Sequence, residues 1–287
     1  MLEINSNDLY FSYPEVHQYA NLRVRLYITN GTAEKSLPLH HIDDFENVPP
    51  EWKKRGGVIT PVAPGAFMYL KFVSGYPFAV KVACGKINAL TGKLWENELN
   101  EPQDYLSTKD QEFLTGYKTG KNTVSKFMAT KLGDGFTPEE QITGEASFGG
   151  IQIICYPLKA SVYKAMNNKK ISDEPKRNPD VMYSKNRDHL KESTIGLSLS
   201  EFENLTIHED QFGVDSWETS SNDRCYIHLC HSKNWTDYTR LKEPEKLSTE
   251  NIETLKFGNL DMESFLKETQ TLRQKESIFS KLKSFFS

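Results

Sequence analysis

The sequence predicts an all-β protein, a β-sandwich-like sheet domain followed by a C-terminal amphipathic helix. Three observations carry this expectation. Short runs of alternating apolar residues recur before position 240, and turns containing Gly and Pro separate them. Sustained helical periodicity begins only after Leu247.

In NLRVRLYITNG, Leu22, Val24, Leu26 and Ile28 alternate with Arg23, Arg25 and Tyr27, and Asn30-Gly31 supplies a hairpin-type turn. GAFMYLKFVSG and YPFAVKVACGKINALTG read as two further strands, broken at Ser74-Gly75 and closed by Thr91-Gly92. Within the second, Phe78, Val80, Val82 and Cys84 share one face and Lys81 lies on the other. GIQIICYP is a fourth strand, with Ile151, Ile153 and Cys155 on one side. DRCYIHLCH is a fifth, which sets Cys225, Ile227 and Leu229 opposite Tyr226, His228 and Cys230.

Thr137-Pro138-Glu139-Glu140 reads as an N-cap, an N1 proline and a capping-box glutamate that open a short helix. The segment at about 166–193 is polar and charged, which predicts a long loop inside a single β-rich domain of residues 1–240. Residues 241–287 form a helical C-terminal segment in this reading. There Ile278, Phe279, Leu282, Phe285 and Phe286 fall at helical spacing against Lys281 and Lys283.

A length of 287 residues with 37% hydrophobic side chains suits a globular chain with a sizeable core. A formal net charge of −4 argues against a general nucleic-acid binder, so no nucleic-acid partner is expected. Two lysine runs depart from that average: Lys118, Lys121, Lys126 and Lys131, then Lys159, Lys164, Lys169 and Lys170. Solvated charge is their plain reading, and a site for an anionic partner is the sharper one. The N-terminus shows no signal-peptide pattern, and no apolar run reaches the roughly 18 residues of a membrane span. Together with only four cysteines, this predicts reduced thiols and a cytoplasmic location.

GDGFTPEEQITGEASFGG tests two catalytic templates and fails both. A P-loop needs a lysine after its second glycine, but Gly149 is followed by Gly150-Ile151. A nucleophile elbow needs glycine two residues before its serine and a helix after it, whereas Glu145 precedes Ser147 and a strand follows. A glycine corner feeding a strand fits better. Cys225, His228, Cys230 and His231 have the composition of a metal site. On a strand, however, Cys225 points away from His228 and Cys230, and no second ligand pair with zinc spacing occurs. No metal and no cofactor is therefore expected. His208-Glu209-Asp210 places an imidazole beside two carboxylates; solvated acids are the simpler reading than an acid–base pair. Cys84 and Cys155 belong to apolar strand faces, where a thiol is unreactive.

Four blocks occur in one order: VPPEWKKRGGVITPVAPGAFMYLKF, YPFAVKVACGKINALTGKLWENELNEPQDYL, LGDGFTPEEQITGEASFGGIQIICYPLK and HEDQFGVDSWETSSNDRCYIHLCHSKNW. In this they resemble an uncharacterised protein family of actinobacteria and filamentous fungi, over about 48–159 and 196–235. The resemblance implies no activity, ligand or catalytic residue, but it marks Gln103, Asp104, Tyr105, Gln141 and Gly144 among the positions that carry the pattern. The chain departs from that pattern at STKDQEFLTG and VSKFMATKLG.

Two functions follow as expectations. The first is a non-catalytic interaction or assembly protein, with a protein partner or self-association. Its docking element is the amphipathic tail with Ile278, Phe279, Leu282, Phe285 and Phe286; a membrane surface is the other partner such a basic helix suits. The second is an enzyme or small-ligand binder with a polar pocket from the Gln103–Tyr105 and Gln141–Gly150 blocks. Asp104, Tyr105, Gln141 and Glu145 would then be its binding residues.

Overall fold

The structure, a computed structural model, describes residues 2–5, 7–29, 34–118, 124–173 and 207–242. In chain order the strands are β1 (Leu2–Asn5), β2 (Asp8–Ser12), β3 (Asn21–Thr29), β4 (Glu34–Ser36) and β5 (His40–His41). β6 (Val58–Val62), β7 (Phe67–Val73), β8 (Phe78–Cys84), β9 (Ile87–Asn88) and β10 (Leu106–Ser107) follow. The last are β11 (Phe113–Leu114), β12 (Gly116–Lys118), β13 (Val124–Met128), β14 (Ile151–Pro157) and β15 (Asp223–His231). The helices are α1 (Pro50–Arg55), α2 (Pro138–Thr143), α3 (Ala160–Asp173) and α4 (Ser232–Thr239).

These strands form two sheets. The first runs β1-β2-β3-β7-β13-β12, with β4 on β3 and β11 on β7, and is antiparallel throughout. The second runs β10-β8-β14-β15-β6-β5, with β9 on β8. Only β15 and β6 pair in parallel there, and their register Ile227↔Val58 to His231↔Val62 joins chain segments far apart in sequence. No hairpin can make such a pair, so the fold closes only when the chain returns.

One buried cluster draws on both sheets. Leu22, Val24, Leu26, Leu70 and Phe72 come from the first, and Phe78, Val80, Val82, Ile153, Cys155 and Ile227 from the second. The predicted alternation is why: each strand presents its apolar set to one side. Tyr13 ties the layers, since its hydroxyl donates to the Cys155 carbonyl at 3.2 Å and accepts from the Asp223 amide at 2.9 Å. A smaller cluster of Ile42, Phe45, Val48, Ile59, Cys230 and Trp235 uses the other face of β6 and β15.

The five expected strands are present as β3, β7, β8, β14 and β15, except that the run expected to continue to Thr91-Gly92 ends at Cys84 and turns back as β9. The structure adds β1, β2, β6 and the short strands β10 to β13, which the alternation pattern had not singled out. The polar segment expected from about 166 begins in helix, because α3 runs from Ala160 to Asp173. Residues 174–193 of that segment, the Asn30-Gly31 turn and the whole of 243–287 lie outside the described residues. Among the described residues no helix is long and apolar enough to cross a membrane.

Candidate functional site

β8 sends Ala79, Lys81 and Ala83 to the outer side of the second sheet, with Lys81 paired in register with Ile154. The loop after β9 folds back over this face. Its Asp104 meets Lys81, Nζ to Oδ2 2.6 Å, and the ammonium also donates to the Glu98 carbonyl. Trp95 covers the pair from 5.5 Å. Lys81 is 0% exposed and Asp104 is buried, so both charges have left water and depend on each other. The remaining acceptor positions of Asp104 take the Asn100 amide and side chain, each at 3.1 Å. Asn88 braces the loop from below: it donates to the Asp104 carbonyl at 2.8 Å and accepts from the Leu90 and Thr91 amides.

The next residue faces a different partner. Tyr105 is fully buried, and its hydroxyl donates to Asp210 Oδ2 at 2.7 Å. Trp217 Nε1 donates to the same oxygen at 2.9 Å, and the Phe212 amide takes Oδ1 at 3.0 Å. Gln103 completes the joint by donating to the Tyr105 and His208 carbonyls and accepting from the Asp210 amide at 2.9 Å. Burial, and then the Asp210 bond, push the Tyr105 hydroxyl well above its ordinary pKa. Asp210 therefore serves as a hub that pins the 207–217 segment to the domain, while His208 and Glu209 are exposed.

In the second block, α2 begins at the predicted cap. The Thr137 side chain accepts from the Glu140 amide, and the Glu140 carboxylate accepts from the Thr137 amide. Glu140 does more than cap: it accepts from the Gly133 and Gly135 amides at 2.7 and 3.0 Å and from the Thr137 hydroxyl at 2.7 Å. Burial works to raise its pKa, and these bonds, the Thr137 hydroxyl foremost, more than offset it. Glu139, fully buried, receives the Phe148 and Gly149 amides, the latter at 2.8 Å. The two glycine-containing loops thus hold amide cradles, and the anion in each is the chain's own glutamate. Gly150 feeds β14 at φ +63°, where a Cβ would come within 2.5 Å of the Ile227 carbonyl oxygen.

Gln141 donates to the Phe136 carbonyl at 3.3 Å, and Glu145 pairs with Lys86 at 2.8 Å. The Lys86 bond and charge hold Glu145 below the usual carboxylate range. Lys86 and Arg55 flank the Phe148 ring at 4.9 and 3.9 Å, and Arg55 also donates to the Ser147 and Phe148 carbonyls. Bonds from Gln103, Asp104 and Tyr105 lead to β8, the covering loop and the 207–217 segment. Those from Gln141 and Glu145 stay with α2 and the β8–β9 turn. Among the described residues no hydrogen bond or ion pair joins the two blocks.

β15 keeps the predicted alternation. Cys225 lies in the main cluster, and Cys230 in the smaller one. His228 is buried, stacks on Trp52 at 5.0 Å, and its Nε2 sits 2.9 Å from the Gly56 carbonyl. His231 accepts from the Lys233 amide as the cap of α4. Burial pushes the Cys225 and Cys230 thiols up to about 12, and Cys84 likewise. All four cysteines are free thiols. Of the lysine runs, Lys159 donates to the Asp215 carbonyl and Lys131 lies 3.7 Å from Asp134; Lys121 and the side chains of Lys169 and Lys170 lie outside the described residues, as do Ile278, Phe279, Leu282, Phe285 and Phe286.

Sequence reasoning missed Lys81, Lys86 and Arg55 as organising residues. Only Lys81 carried a signal, as the one charge inside the apolar run YPFAVKVAC. Comparisons of the chain with protein-family models, curated proteins and solved structures return no match.

Proposed function

We propose that this chain is a non-catalytic interaction or assembly protein, a β-sandwich-like scaffold whose C-terminal segment docks on a protein partner or a second copy. One observation supports this above the others: most of the polar side chains singled out as candidates are engaged within the fold. Asp104 neutralises Lys81, Tyr105 and Trp217 converge on Asp210, and Glu139 and Glu140 fill backbone cradles. His228 packs between Trp52 and the Gly56 carbonyl. A general acid or base needs a titratable group within reach of substrate, and among the described residues these groups bond to other parts of the chain. Free thiols accord with a cytoplasmic location, which belongs to the same proposal.

The test compares the full chain with a form lacking residues 277–287, by light scattering over a concentration series and by pull-down. Self-association or partner capture that disappears with the truncation supports the docking role. A full chain that stays monomeric, and captures nothing that the truncated form does not, overturns it. The resemblance to the actinobacterial and fungal family is part of this proposal and supplies no mechanism to it.

A further inference from the structure

The 207–217 segment is held in two different ways along its length. From Ser216 onward the backbone itself is tied in. The Lys159 amide donates to the Ser216 carbonyl at 2.9 Å, the Glu218 amide donates to the Pro157 carbonyl at 2.8 Å, and Trp217 is 1% exposed. Over 207–212, among the described residues, no backbone–backbone hydrogen bond reaches any other element. Gly213 separates the two stretches at φ +78°, and a Cβ there would meet nothing within 4 Å. A glycine free in this way suits a pivot.

Side chains hold 207–212 instead, and they read it as they would read a separate peptide. Gln103 acts like a short piece of strand: its Nε2 donates to the His208 carbonyl at 3.1 Å, and its Oε1 accepts from the Asp210 amide at 2.9 Å. The Asp210 carboxylate accepts from the Tyr105 hydroxyl at 2.7 Å and from Trp217 Nε1 at 2.9 Å. The Phe212 ring meets Trp217 edge-on at 5.5 Å and Lys109 Nζ at 5.1 Å. Ile207 and Phe212 pack half-buried against the main cluster, whereas His208, Glu209 and Gln211 are exposed. Anchors at 207, 210 and 212 with solvated residues between them make the pattern of a linear docking motif.

We propose that the surface formed by Gln103, Tyr105, Lys109 and Trp217 is a docking site for a partner protein presenting an extended Ile-x-x-Asp-x-Phe segment. Residues 207–212 occupy it in cis as an autoinhibitory strap. Release breaks only side-chain contacts, with the chain pivoting at Gly213 while Trp217 stays in place. The strap competes as a tethered ligand, so the partner binds only to the fraction of chains in which it has lifted. This surface is separate from the C-terminal segment, and the inference does not rest on the docking role of residues 277–287.

The probe is a fluorescein-labelled peptide of the chain's own sequence IHEDQFG, residues 207–213, read by fluorescence anisotropy against the full chain. The double change Asp210→Ala with Phe212→Ala empties the surface. That chain is expected to bind the probe saturably, about tenfold or more tightly than the unaltered chain, whose strap competes. A probe carrying Asp210→Asn binds the emptied chain about tenfold more weakly, since the Tyr105 and Trp217 donors lose a charged acceptor. Hydrogen exchange on the unaltered chain gives a second reading that needs no variant. There the Asp210 amide is expected to exchange about tenfold or more faster than the core amides of β14, through opening of the strap alone. The proposal is overturned if the emptied chain binds the probe no better than the unaltered one, or if the Asn probe binds equally well. It is equally overturned if the Asp210 amide exchanges only together with the β14 core. Dimerisation of the unaltered chain that the double change abolishes would assign the surface to a second copy and overturn the partner reading.

Discussion

Lys71 and Lys81 sit near the middle of two strands consecutive in the chain, one in each sheet, yet they lead opposite lives. Lys71 on β7 points from the outer face of the first sheet, half-buried, its Nζ 5.2 Å from the Phe113 ring. Beside it Arg25, paired with Asp8, and a parallel stack of Tyr27 on Tyr69 at 4.9 Å complete a face of the ordinary amphipathic kind. Lys81 on β8 points from the outer face of the second sheet and meets no solvent. The difference is the loop that returns over β8 with Trp95, Asn100 and Asp104. A charge on a strand is a solubility device when nothing covers it and a structural bolt when a loop does.

The sharpest way to break this comparison is to remove one half of the bolt. Asp104→Asn leaves the Lys81 ammonium buried without its counter-ion, with an expected loss of about 3–5 kcal/mol in urea denaturation. Lys71→Met stays within about 0.5 kcal/mol. Equal losses at both positions would mean that the covering loop does not isolate Lys81. A double change of Lys81→Met with Asp104→Leu recovers much of the deficit, since an apolar pair of similar volume often replaces a buried ion pair without penalty.

A middle-sized effect is expected at the amide cradle of α2. Glu140→Gln removes the charge that four donors share, and the loss is about 1–3 kcal/mol, with the 133–137 loop opening to hydrogen exchange first.

A smaller, pH-dependent effect belongs to His228 on the covered sheet. Burial, with the nearby Arg55 charge, lowers its pKa, while the Gly56 carbonyl works the other way. A histidine with a lowered folded pKa is bound by more protons when unfolded. Its contribution is therefore full above the ordinary pKa of about 6.5 and is lost as pH falls below it. His40, lowered by burial, adds in the same direction. His228→Gln keeps a donor for the Gly56 carbonyl and flattens the fall in Tm between about pH 6.5 and pH 5; an unchanged profile would place the acid sensitivity elsewhere.

The smallest effect is at Glu145. Its pair with Lys86 lies in solvent, so Glu145→Gln leaves the denaturation midpoint where it was, by the same urea measurement.

Much of the architecture was legible from side-chain period. The five named strands needed only alternation and turn residues, and the α2 cap needed only Thr137, Pro138 and Glu140, because both depend on neighbours within a few positions. Legibility ended where strands were short or paired across long stretches. β10 and β11 have two residues each, too few to show a period, and β6 owes its place to a parallel partner in β15. α3 lacks an apolar stripe of clear helical spacing, so its polar latter half reads as loop. The candidate site was half legible. Asp104 and Tyr105 were identified, but adjacent residues on an extended segment face opposite ways, and only the fold shows that one meets Lys81 and the other Asp210.

By itself the sequence determined an all-β chain, the inward faces of its main strands, the capped helix and the failure of both catalytic templates in GDGFTPEEQITGEASFGG. Those are properties of local chemistry and spacing. Tertiary structure alone decided that Lys81 is buried, that Glu139 and Glu140 fill the amide cradles meant by their glycines for an anion, and that Asp210 gathers Tyr105 and Trp217. Each depends on which distant segment arrives to displace water, and a charge or a backbone amide acquires its role only from the partner that replaces that water.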